Sequence, residues 1–175
     1  MLKKILLGVA ILLAAVLVIA AFQPDEFSLE RRTTINAAPD SVFAHINDFH
    51  RWDAWSPWAK LDPNMTTTYG GPPSGVGSVY EWKGNSAVGS GRMTITESTP
   101  ASKVVIALDF LEPMEANNIT SFALTPNGSG TDVSWTMSGK SNYLSKLMTT
   151  FVSMEKMVGP DFEKGLAQLK TAVEQ

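Results

Sequence analysis

From Ile5 to Phe22 the chain carries no charged residue, and the pair Lys3–Lys4 stands directly before that run. As a helix, ILLGVAILLAAVLVIAAF is about 27 Å long at roughly 1.5 Å per residue. A bilayer's hydrocarbon core is about 30 Å thick, so the segment is just long enough to cross it. A helix also satisfies its own backbone polar groups in hydrocarbon, which an irregular apolar segment cannot. The positive-inside bias keeps the two lysines in the cytoplasm and sends everything after Phe22 outward. Residues 1–22 are therefore expected to be an uncleaved anchor, with the remainder extracytoplasmic, or periplasmic in a Gram-negative cell. A cleaved signal peptide is the alternative, with Val18-Ile19-Ala20 or Ile19-Ala20-Ala21 as its small-residue site. Without a cysteine there is nothing to acylate, so a lipoprotein is excluded.

Residues 23–26 read as a short linker, and 27–175 have the length of one domain with its own core. Only 18% of the chain is charged and the net charge is -3. With a pI near 5.4 and no long basic run, nucleic acid is not an expected partner. The absence of cysteine also removes thiol nucleophiles, disulfides and cysteine-ligated zinc.

Phe27 to Asn36 alternates as a strand, and Pro39-Asp40 opens a helix carrying Val42, Phe43 and Ile46 on one face. A second short helical piece runs through Phe49, Trp52 and Trp55 and ends before Pro57. From Met65 to Ser138 strand follows strand, separated by turn residues such as GGPPSGVG, KGNS and NGSG, which implies an antiparallel meander. Asn142 to Glu174 repeats apolar residues every three or four positions and is predicted as one long amphipathic helix. Gly159-Pro160 is expected to kink or break it. Each strand has one apolar face to cover, and the last helix alone is long enough to cover it. The fold class is thus α+β, a helix-grip arrangement in which a curved antiparallel sheet wraps a long C-terminal helix, preceded by a transmembrane helix.

Ala38-Pro39, the Asp40-Ser41-Val42-Phe43 helix start and DFHRWDAWSPW at 48–58 resemble the SRPBCC superfamily. That group includes START lipid-transfer domains, birch-pollen-allergen proteins and polyketide cyclase/dehydrase-like proteins. GGPPSGVGSVYEWKGN, VGSGRMTITE and MEKMVGPDFEKGLAQLK are similar to the bacterial polyketide-cyclase-like branch. The resemblance covers roughly residues 27–174 and implies a cavity for apolar ligands between sheet and helix.

Side chains that alternation and helical spacing direct toward such a cavity are Trp55, Tyr80, Trp82, Met93, Phe110, Phe122, Trp135, Met137, Met148, Phe151 and Met154. Aromatic rings supply apolar area and thioethers adapt to ligand shape, though each of these residues can equally fill a core. Glu81, Arg92, Glu97, Asp109 and Asn118 are the polar candidates, and strand parity turns Glu81, Arg92 and Asp109 outward. No inward acid or base stands out for catalysis. His45 and His50 are five residues apart, off the i, i+4 spacing of two zinc ligands on one face. No metal or cofactor is expected. The expected function is a membrane-tethered binding or transfer module for an apolar molecule or lipid. A cyclase- or hydratase-like enzyme on an apolar substrate and an envelope protein-interaction module are the alternatives, with the protein partner unidentified.

Overall fold

The computed structural model describes residues 1–175. Its first element, α1 (Leu2–Ala21), is a helix long and apolar enough to cross a membrane. Strand β1 (Glu26–Ile35) follows, then helix α2 (Pro39–Ile46) and a 3₁₀ helix (Phe49–Ala54). Pro39 occupies the first turn of α2, where its missing N–H costs nothing and its fixed φ suits the helix. Asp48 caps the 3₁₀ helix by accepting the His50 backbone N–H at 2.9 Å.

Six strands come next: β2 (Thr66–Gly70), β3 (Val79–Lys83), β4 (Ser90–Thr99), β5 (Lys103–Glu112), β6 (Ala116–Asn127) and β7 (Gly130–Lys140). The chain closes with α3 (Tyr143–Thr149) and α4 (Met154–Glu174). One seven-stranded antiparallel sheet has the order β1-β7-β6-β5-β4-β3-β2. Every neighbour except the β1–β7 pair is consecutive in sequence, which is the meander that the short turns imply. Register shifts between Ile95 and Glu97 and at Ser90/Gly91 interrupt the β4–β5 ladder, and irregularities of this kind bend a strand and raise local twist.

Helix α4 lies on the concave face, with Phe162, Leu166 and Leu169 buried against the sheet. The architecture is the expected helix-grip α+β fold. One detail departs from the sequence reading. The C-terminal segment is two helices, and the break falls at Thr150–Ser153 instead of Gly159-Pro160. Thr149 and Thr150 both donate their hydroxyls to the Lys146 carbonyl, a side-chain bond that competes with helix continuation. Ser153 then turns extended and caps α4 through Lys156 N–H.

Pro160 sits inside a continuous α4. Gly159 has a packing role instead: a Cβ there would lie 2.4 Å from Arg31 Nη2. Arg31 points from the concave face of β1 and bridges Glu155 and Glu163 of α4, both at 2.7 Å. The bare backbone at Gly159 lets that guanidinium pass between strand and helix.

The interior divides across the strands. Near α2 it is filled by Ile35, Val42, Ile46, Ile95, Val104, Ile106, Leu124, Val133 and Leu169, all buried. Toward the other end the same inward-facing series continue as Met93 on β4, Leu108 and Phe110 on β5, Asn118 and Thr120 on β6, and Met137 on β7. There the helix layer no longer meets the sheet.

Candidate functional site: an apolar cavity with one buried amide

The unfilled end encloses a cavity of about 430 Å³, within the range typical of small-molecule sites. Its inner end is an aromatic wall. Trp135 stacks on Phe162 (ring centroids 4.0 Å apart) and on Phe122 (4.9 Å), while Trp58 meets Trp135 edge-on at 6.0 Å. Tyr80, Trp82, Met93, Leu108, Phe110 and Met137 form the sheet side, and Met154, Met157, Val158 and Phe162 the helix side. Trp82 lies across from Gly91 on β4, where a Cβ would be 2.3 Å from its Cη2. The missing side chain lets the indole lie against the sheet. Trp82 Nε1 donates to the Val88 carbonyl at 3.0 Å, which fixes the ring.

Seven of the eleven side chains singled out from the sequence meet at this wall: Tyr80, Trp82, Met93, Phe110, Trp135, Met137 and Met154. The other four are elsewhere, and each correction has a physical reason. Trp55 and Phe122 are fully buried behind the wall, packed edge to face at 6.0 Å. Trp55 is held there by its Nε1–H bond to the His45 carbonyl at 3.2 Å. Met148 and Phe151 belong to α3 and the turn after it, which the break swings away from the sheet, and both are exposed. Helical spacing continued through that break had placed them inward.

Among the polar candidates, Asn118 alone reaches the cavity. Glu81 and Arg92 face each other on the convex side at 3.6 Å, and Glu97 pairs with Lys103 at 3.1 Å. Asn118 is only 8% exposed and its Oδ1 has no hydrogen-bond partner. That oxygen rests on Gly139, where a Cβ would be 2.0 Å away. The amide nitrogen is therefore the end left to the cavity. Two residues along, Thr120 Oγ1 is occupied: it accepts from Trp135 Nε1 at 2.7 Å and donates to the Thr136 carbonyl at 3.1 Å. Thr120 and Met157 are wall residues that sequence reading passed over. For Thr120 and Asn118 the available signal is parity, since both share a face with Phe122 and Leu124 on β6.

Tyr80 is the ionisable group deep in the wall, and burial pushes its phenol up, with the Asp53 charge adding to the effect. It therefore stays neutral at ordinary pH. The charged groups of the lining are Glu112, Glu115, Lys140 and Asp161. The first three are exposed at the mouth, with exposed Asn142 and half-buried Ser145 beside them. His45 Nδ1 lies 2.9 Å from the Ser41 carbonyl and His50 Nδ1 2.9 Å from Asp48 Oδ1, with the His50 ring stacked on Tyr69.

A curved antiparallel sheet closed by a C-terminal helix over an apolar cavity defines a helix-grip protein of the SRPBCC type. Residues 26–174 match the family described as polyketide cyclase / dehydrase and lipid transport, and the chain belongs to it. No curated protein matches the chain. Solved structures share the fold at low identity. Protein CV1439 from Chromobacterium violaceum is 18% identical with a TM-score of 0.61, covering 87% of this chain and 99% of its own. The Aha1 dimer from Colwellia psychrerythraea is 19% identical, with a TM-score of 0.61 and coverage of 85% and 96%. The di-domain ARO/CYC StfQ from the steffimycin biosynthetic pathway is 12% identical at a TM-score of 0.60, covering 85% of this chain and 51% of its own.

Proposed function

We propose that the chain is a membrane-tethered module on the extracytoplasmic side that binds an apolar molecule carrying one hydrogen-bond acceptor, such as a lipid or lipid-like amphiphile. The observation that carries this reading is the pairing of a cavity of about 430 Å³, walled mainly by aromatic and methionine side chains, with a single buried amide at Asn118. Such sites bury most of a ligand's surface and use a few polar groups for orientation. The tether rests on α1, with Lys3–Lys4 ahead of it setting direction. The family's own description includes lipid transport, which supports the same class of ligand.

A cyclase- or dehydrase-like enzyme is the second reading, also supported by the family description. It needs a proton donor or acceptor within hydrogen-bond reach of the substrate. Asp161, half-buried in the cavity wall, is the residue that favours it.

Titrating residues 27–175 with a fluorescent fatty-acid probe tests the binding reading. Saturable binding that an unlabelled fatty acid competes away is expected. Absence of saturable binding removes the cavity hypothesis and leaves the interaction-module alternative ahead.

A further inference from the structure

The outer surface of α3 is apolar, and no other part of the chain covers it. Leu144 is 50% and Phe151 70% exposed, with Met148 and Val152 exposed beside them. No charged residue occurs between Lys146 and Glu155. Lys146 is largely covered along its length and pairs its ammonium with the exposed Asp25 carboxylate. A helix that faced water would carry charged or polar side chains on this surface.

Helix α1 leads directly to it. Tyr143 donates its hydroxyl to the Leu17 carbonyl at 3.0 Å, and Ala20 near the end of α1 is fully buried. Leu17 lies four residues before the end of α1, about 6 Å of helix. The interfacial layer on either side of the hydrocarbon is about 5–7 Å thick. With the apolar run of α1 filling the hydrocarbon, Leu17 lies about 6 Å inside its outer edge, and the Tyr143 hydroxyl reaches that depth from α3, which sets α3 beside the boundary with the headgroups, where tyrosine is enriched. The cavity mouth opens at the same place, since Asn142 and Ser145 on one side and Met154 and Met157 on the other line it.

We propose that α3 and the Thr150–Ser153 turn rest in the interfacial layer of the phospholipid bilayer that α1 crosses. Leu144, Met148, Phe151 and Val152 insert among the lipids, and the cavity mouth is held against the membrane. This inference rests on the membrane-tether reading above. It assigns the apolar patch to lipid, and it gives an amphiphile a route between leaflet and cavity that avoids bulk water.

The chain has no cysteine, so single probe sites are available without further changes. Leu144→Cys, Phe151→Cys and, as a distant control, Ser129→Cys would each be made in the full chain. Ser129 sits in the β6–β7 turn, at the opposite end of β7 from Lys140, a strand about 33 Å long. Each variant is labelled with an environment-sensitive fluorophore and reconstituted in phosphatidylcholine vesicles, with folding checked by near-ultraviolet circular dichroism. The emission at 144 and 151 should shift to the blue and be largely quenched by nitroxide-labelled phosphatidylcholine, while that at 129 stays unchanged. A chain that floats with the vesicles but shows no more quenching at 144 and 151 than at 129 overturns the lipid contact and leaves the tether standing. A chain that fails to float overturns both. Disulfide cross-linking of unlabelled Phe151→Cys copies without lipid quenching assigns the patch to a second copy and also overturns the proposal.

Discussion

The Trp135 indole lies on the Phe162 ring with centroids 4.0 Å apart and planes 17° apart, tying the centre of β7 to α4. Both rings are almost fully buried, and they separate the packed core from the cavity. Phe162→Ala removes one half of this stack and joins the vacated volume to the cavity. The expected loss is about 3–5 kcal/mol, as for other large aromatic truncations, read from the urea midpoint of residues 27–175. A change of only a few tenths would mean that α4 does not close the sheet.

Asn118 carries the one hydrogen-bond deficit in the cavity wall. Asn118→Leu keeps the shape and removes an unpaired buried oxygen, so stability should hold or rise. Affinity for a ligand with an acceptor should fall roughly tenfold, the weight of one hydrogen bond of about 1–1.5 kcal/mol. A titration with the fatty-acid probe beside a urea melt separates the two effects. Unchanged affinity would remove Asn118 from the site.

An added cation inside the cavity should abolish binding, because an unpaired buried charge is costly. Met154→Lys places it at the helix side of the wall. Glu163, on the outward side by helical spacing, is not a neutral control, since its carboxylate holds Arg31 at 2.7 Å. Ala167→Lys, on the exposed face of α4, is the better comparison. Both variants are first shown folded by circular dichroism. Equal loss of probe binding in both would mean the lesion acts through the fold instead of the cavity.

Acid should destabilise the domain through carboxylates held by the sheet. The Thr34 hydroxyl at 2.6 Å, and then the Asn127 amide, keep the Asp132 carboxyl below its ordinary value. Arg32 and then Ser134 do the same for Glu30. A depressed folded value means that the unfolded chain takes up protons first as pH falls. The stabilisation is therefore complete above the unfolded carboxylate range near about 4 and is lost as pH drops through the folded values. Asp132→Asn should lose less stability between pH 6 and pH 3 than the parent, measured by urea midpoints at the two values. An identical drop would show that the Thr34–Asp132 bond has no part in it.

Much of the fold was legible because its signals are local. Alternation along the strands follows from their two-residue period, and it correctly turned Glu81, Arg92 and Asp109, cross-strand neighbours on β3, β4 and β5, to the convex side. The turn at Asn127-Gly128-Ser129-Gly130 needs a positive φ, which Gly128 supplies at 60°. The apolar run after Lys3–Lys4 was equally direct, since a helix of that length and composition is set by the residues alone.

Parity says which face a residue takes, and nothing about what lies opposite. Phe122 and Asn118 share one face of β6. The first is sealed by Trp55 and Trp135, while the second opens to the cavity because the start of α4 stands off from the sheet there. The end of α3 was hidden for a similar reason. Pro160 is the strongest local breaker in the C-terminal segment, yet α4 runs through it, its neighbour Gly159 leaving room for Arg31. Period and hydropathy act over a few residues, so the strands, their inward faces and the apolar N-terminal helix are written locally in the chain. Where the terminal helix divides and which apolar side chains surround empty space depend on how far α4 reaches across a curved sheet, and that is set by contacts between residues distant in the chain.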